Sequence, residues 1–334
     1  GVQALVRMLL EQRRSDARAG FNTAGYVSGY RGSPLGGVDF ALWRAEALLK
    51  AAQIRFEPGL NEELAATMVH GSQQVGAIGG ARVDGVFGLW YAKNPGVDRA
   101  GDALKHANAA GTAALGGVLA VSGDDPGATS SSIANQCDHA FISASIPVLA
   151  PASVAEILDY GLLGYGLSRY AGVWVGLKTV SDVVESSASV VLSASRPPLV
   201  LPPDIERPAG GWGLRWPDSR WEQDARLLGQ RLPAARAYAR ANRLDRVVFG
   251  AARPRYGIVC AGKAANDVLE ALALLGIDQA GADALGLAVY KAGMVWPLEQ
   301  IGLREFAEGL DEVLVVEERR AILADPLGSL PRAG

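Results

Sequence analysis

The stretch TAGYVSGYRGSPLGG, residues 23–37, sets the frame for the chain. A short apolar segment (23–28) runs into the turn Gly29-Tyr30-Arg31-Gly32-Ser33-Pro34-Leu35-Gly36-Gly37, and a helical pattern follows over 38–52. In α/β folds a glycine-rich turn from strand to helix leaves backbone N–H groups free and aims a helix dipole at them, which makes it an anion-binding position. The spacing is not GxGxxG, which argues against a dinucleotide. Taken alone, the turn is equally a tight bend that needs flexible backbone.

Outward from this turn, further short apolar runs lie at 54–56, 85–91, 117–122, 147–150, 173–177 and 198–201. They are rich in Val, Leu and aromatics and lack polar alternation, as expected of strands buried on both faces. Helical patterns at 61–76, 98–110, 135–144 and 152–169 separate them, so βαβ units and a parallel sheet are expected. Before the first strand, Val2, Leu5, Val6, Leu9 and Leu10 mark a helix. Prolines and glycines then crowd together from 202 to 217, and an Arg/Ala-rich helix at about 219–242 follows. A smaller α/β unit closes the chain, with strands at 256–261, 287–290 and 312–316 and helices at 264–275 and 298–310. The expected organisation is a first domain over 1–202, a linker with a bridging helix over 203–254, and a truncated second domain over 255–334. The opening on Gly1 within a helix and the tail at 330–334 suggest a part of a longer protein.

At 334 residues the chain has room for about two domains of roughly 150 residues. A net charge of −3 with scattered Lys and Arg gives no footprint for nucleic acid. The two cysteines, Cys137 and Cys260, are far apart, so they form no metal or cluster motif and fit a reducing compartment. No apolar run approaches the ~18 residues of a membrane span, and cytoplasm is the default.

Several residues invite a chemical reading. Asn61-Glu62-Glu63 opens a helix of otherwise small and apolar residues, though acids favour first helical turns in any case. Lys93 and Asn94 follow one strand and the Gly123–Gly127 turn, with Asp124 and Asp125, follows another, which puts both on the edge of the sheet that carries the glycine-rich turn. The segment Gly257–Lys263 imitates a P-loop, but Ala264 stands where magnesium needs a hydroxyl. His70, His106 and His139 lack metal-ligand spacing, and no serine sits in a nucleophile elbow.

Taken together, the turn Tyr30–Pro34, the Asn61-Glu62 helix, the stretch KNPGVDRAGDAL (93–104) and the Gly123–Gly127 loop resemble the pyrimidine-binding domain of 2-oxoacid:ferredoxin oxidoreductases, most closely the long-chain indolepyruvate:ferredoxin oxidoreductases. The segments YKAGMVWPL (290–298) and VLVVEE (313–318) are similar to the transketolase C-terminal-like domain of that family. The resemblance implies an α/β protein: a parallel-sheet pyrimidine-binding domain for thiamine diphosphate, followed by a smaller transketolase C-terminal-like α/β domain. It implies oxidative decarboxylation of an aryl 2-oxoacid to the acyl-CoA, with ferredoxin as acceptor; the rival readings are another thiamine diphosphate enzyme class and a non-catalytic assembly domain.

By position, Glu62 is then the acid facing the aminopyrimidine, with Glu63 the less favoured neighbour. Its hydrogen bond to the ring nitrogen favours the imino tautomer, which can accept the thiazolium proton. Gly32, Ser33 and Pro34 are implied at the cofactor, and Ser33, Arg31, Lys93 and Asp125 at the substrate, with Arg31 standing where relatives carry a proline. No Gly-Asp-Gly followed by Asn and no cluster-type cysteine set is present. A diphosphate-binding domain or subunit carrying Mg2+, and a [4Fe–4S] cluster, are therefore expected elsewhere in a homo- or hetero-oligomer. The chain alone is expected to be inactive.

Overall fold

The computed structural model describes residues 1–192, 199–216 and 218–328. In chain order the strands are β1 (Thr23–Tyr30), β2 (Ile54–Phe56), β3 (Gly85–Lys93), β4 (Val118–Asp124), β5 (Val148–Leu149), β6 (Trp174–Val180), β7 (Arg246–Gly250), β8 (Tyr256–Ala261), β9 (Leu287–Ala292), β10 (Met294–Trp296) and β11 (Glu312–Val316). They form a seven-stranded sheet of order β10-β5-β6-β4-β3-β1-β2 and a four-stranded sheet of order β11-β8-β9-β7. The first is parallel except for β10, the second except for β7.

The apolar runs are continuous because each face of the first sheet has its own core. On β3, Phe87, Leu89 and Tyr91 enter one core, whereas Trp90 and Ala92 enter the other. On β4, Leu119 and Val121 divide from Val118 and Ala120 in the same period of two. The helices Val2–Arg18 and Val154–Ala171 cover one face. The helices Glu62–Ser72 and Gly101–Ala110 cover the other, where Val259 and Tyr290 of the second sheet also pack.

Several elements differ from expectation. The helix expected over 38–52 breaks into Val38–Arg44 and Glu46–Ala51, and that over 98–110 into Asn94–Arg99 and Gly101–Ala110. Residues 199–201 form no strand; the start of that expected strand at 198, Pro217 of the linker and the tail at 330–334 lie outside the described residues. The stretch read as linker contains β7, an antiparallel edge of the second sheet. Its RVVFG pattern is a plain strand signal that Pro254 overshadowed. Most consequential is β10, which leaves the second sheet and pairs antiparallel with β5, Met294 opposite Leu149. A three-residue strand carries no periodicity to read.

Two buried polar residues hold this arrangement. Arg231 is fully buried and fans its guanidinium over the carbonyls of Trp212, Ala109 and Ala110, at 2.7, 2.8 and 3.3 Å, tying the bridging segment to the end of the helix Gly101–Ala110. Asp245 accepts the amides of Gly293 and Met294 at 2.8 and 2.9 Å, where the chain passes from β9 to β10. Burial raises the Asp245 carboxyl to about 7, against the pull of those amides.

Arg231→Met, which removes charge-assisted bonds from buried carbonyls, is expected to lower stability by about 3 kcal/mol or more, read from the denaturant midpoint. The folded chain holds the Asp245 proton up to about pH 7, whereas the unfolded chain releases it near 3.8. The fold is therefore penalised as pH rises through that window. Asp245→Asn, which still offers an oxygen to both amides, should gain stability relative to the wild type between pH 4 and 8, on the order of 4 kcal/mol; equal pH dependence in the two proteins would refute this.

Candidate functional site

The chain leaves β1 toward β2 on one side and leaves β3 toward β4 on the other. Parallel connections that diverge in this way open a crevice at the carboxyl ends of the two strands, the usual ligand position in such sheets. The turn after β1 brings Arg31, Gly32, Ser33 and Pro34 to this edge; the end of β3 brings Lys93. Gly32 lies against Lys93, where a Cβ would come 2.8 Å from that of the lysine, and Pro34 packs over Gly123 at the end of β4. Arg31 is exposed, Ser33 and Lys93 are partly buried, and Pro34 is buried.

Glu62 reaches the same edge from the helix Glu62–Ser72, which Asn61 caps by accepting the Leu64 amide at 2.9 Å. Capping fixes the start of the helix, and its dipole favours an anion there. The indole of Trp90, buried in β3, donates to the Glu62 carbonyl at 3.0 Å and pins the first turn to the sheet. The side chain then enters a notch over Gly96, where a Cβ would lie 2.5 Å from Glu62 Cγ. It is 14% exposed, whereas Glu63 points to solvent. Of the two acids left open by the sequence, Glu62 occupies the crevice side. Arg99 approaches with Nε at 3.7 Å from Glu62 Oε2. The sequence reading gave Trp90, Gly96 and Arg99 no role, although Gly96 and Arg99 stand in the quoted KNPGVDR stretch.

Asp125 is placed differently from the substrate contact implied for it. It is 2% exposed and accepts the amides of Thr129, Ser130 and Ser131 at 2.8, 2.8 and 2.7 Å. Burial alone would raise its carboxyl, but these N–H groups outweigh it and hold the group at about 2. Both oxygens are engaged by its own loop, which leaves no free face for a substrate.

Next to it lies a buried cluster around Asp124 whose other members, Asp138, Lys178 and Glu318, the sequence reading gave no role. Asp124 accepts from Ser122 and from the Cys137 amide at 2.9 and 2.8 Å, and Lys178 on β6 donates to Asp138 at 2.9 Å and lies 3.7 Å from Glu318 beyond β11. Burial raises Asp124 to about 6; Lys178, which burial alone would lower, is pushed up by Asp138 and Asp124. Ligand-type atoms of Asp124, Cys137 and Asp138 fall within 4.8 Å of one another, but the Lys178 ammonium already supplies the cation there.

A family model described as an indolepyruvate oxidoreductase domain matches residues 246–326, beginning at the first residue of β7. Indolepyruvate oxidoreductase subunit IorA of Methanothermobacter thermautotrophicus is 28% identical over 300 residues, 88% of this chain and 44% of that protein. Its counterpart in Methanothermobacter marburgensis is 27% identical over 324 residues, 95% and 47% of the two chains. The chain is similar in sequence to indolepyruvate oxidoreductase subunits. It spans less than half the length of the curated relatives it matches. Among solved structures, 2-oxoglutarate:ferredoxin oxidoreductase from Magnetococcus marinus superposes with a TM-score of 0.60 at 15% identity, over 92% of this chain and 56% of that one. The expected α/β fold, a mainly parallel sheet followed by a smaller α/β unit, is borne out. No helix among the described residues is long and apolar enough to cross a membrane.

Asp125→Asn replaces an acceptor-only group by one that carries an NH2. Amide exchange at Thr129, Ser130 and Ser131 is expected to accelerate at least about tenfold, the loss of one charge-assisted bond; unchanged exchange would remove the anchoring role.

Proposed function

We propose that this chain supplies the aminopyrimidine-facing half of a thiamine diphosphate site in a cytoplasmic enzyme that oxidatively decarboxylates an indolepyruvate-type 2-oxoacid to its acyl-CoA, with ferredoxin accepting two electrons. The observation that carries the reading is the Glu62 carboxyl, partly buried in the Gly96 notch at the strand crevice with its backbone pinned by Trp90. The names of the curated relatives support the reaction class.

The residues present fit the cofactor's aminopyrimidine. Gly96 gives the Glu62 side chain its place at the crevice, and the amide nitrogen of Asn94, buried two residues before Gly96, has no hydrogen-bond partner among the described residues. When bound, thiamine diphosphate supplies a nucleophilic carbon and an electron sink for the decarboxylation. On this reading Glu62 faces the pyrimidine ring and exchanges a proton with it through a carboxyl oxygen. The Gly32-Ser33-Pro34 turn walls the crevice and narrows its access to water. Arg31, Lys93 and the Ser33 hydroxyl serve the oxoacid: two positive charges near the entrance favour its carboxylate. Asp125 shapes the adjoining loop rather than touching the substrate.

The diphosphate, its Mg2+ and a [4Fe–4S] cluster are assigned to a partner domain or subunit, so the chain by itself is inactive. Residues 1–202 form the pyrimidine-binding domain on this reading, with the transketolase C-terminal-like domain following the bridging segment.

Oxoacid-dependent reduction of a viologen dye, with CoA and thiamine diphosphate, tests this in the chain co-expressed with the coding sequence beside it. Glu62→Gln is expected to lower turnover by ~10²–10⁴, the usual loss for a general acid–base group, and Glu63→Gln to change it by less than about threefold. Activity that survives Glu62→Gln would refute the assignment.

A further inference from the structure

The helix Asn94–Arg99 turns two residues toward Glu62 from one face. Gly96 leaves the notch, and Arg99, three positions on and so on the same side, brings its guanidinium to 3.7 Å from the carboxylate. The two side chains differ in freedom: Glu62 is 14% exposed, Arg99 58%. The contact, at 3.7 Å, is longer than the ~2.7–2.9 Å of a strong charge-assisted bond. A bidentate fork would occupy both oxygens. This arm makes no hydrogen bond of that kind to the carboxylate and is 58% exposed.

We propose that Arg99 is a displaceable latch, a positioning residue that holds the Glu62 carboxylate in its notch when the cofactor is away and yields it to the incoming aminopyrimidine. The inference rests on the reading of Glu62 given above. An ion pair kept throughout would oppose the sharing of a proton with the ring, because a neighbouring cation favours the charged carboxylate. A weak, exposed pair orients the acid and is given up at small cost. Arg99 also closes its own short helix, where a cation complements the dipole; that role alone would leave cofactor affinity untouched.

The test uses the complete enzyme, this chain with its partner, stripped of cofactor and titrated with thiamine diphosphate and Mg2+ while tryptophan fluorescence is followed. Trp90, whose indole is bonded to the Glu62 carbonyl, lies directly under the event. Arg99→Gln is expected to tighten binding about two- to fivefold relative to the wild type at low salt, the range of an exposed ion pair. The ratio between the two proteins should fall to one near 1 M salt, where such a pair is screened. Arg99→Lys should restore most of the competition. In a Glu62→Gln background Arg99→Gln should change nothing, since its partner is gone. Unchanged or weaker binding by Arg99→Gln at low salt overturns the latch. A Glu62→Gln enzyme with full turnover and unaltered affinity overturns instead the reading on which it rests.

Discussion

The parallel pairing of β1 with β3 governs what this molecule can do. With β2 on the outer flank of β1 and β4 on the far side of β3, the connections leaving the pair must diverge. Sheet twist and right-handed crossovers leave no other route, so a crevice opens at the carboxyl edge. Every residue of the candidate site arrives there as a consequence: the glycine-rich turn because β1 ends there, Lys93 and Gly96 because β3 ends there, and Glu62 because the helix after β2 must start at that edge before crossing the sheet.

Within the crevice, the accounting of polar groups separates structural acids from an available one. The oxygens of Asp125 are engaged by loop amides, those of Asp124 by Ser122 and the Cys137 amide, and Asp39 accepts from the buried Tyr91 hydroxyl. Glu62 is held by its backbone and by shape instead: a capped helix start, an indole on its carbonyl and a glycine beneath its carboxyl. A carboxyl fixed without strong hydrogen bonds to its oxygens keeps them for a ligand. The two sheets are joined away from this crevice, through β10 on the outer side of β5 and through Lys178 between Asp138 and Glu318.

The sequence by itself determined the α/β class, the parallel first sheet and the edge where the candidate residues gather, because buried parallel strands read as unbroken apolar runs and each glycine-rich or proline-rich turn marks a strand end. It also brought Glu62 forward, through the Asn61 cap and the resemblance carried by motifs in fixed order. What it left open was decided only in three dimensions. Glu62 and Glu63 are both first-turn acids, and only packing against β3 and Gly96 turns one inward and leaves the other in solvent. Asp125 belongs to the right loop, but the amides that occupy it lie four to six residues ahead in a turn without periodicity. The meeting of Glu62 with Arg99 and the return of β10 to the first sheet join residues distant in the chain. Local propensity and spacing register contacts within a few positions, whereas such pairings are set by how whole elements pack.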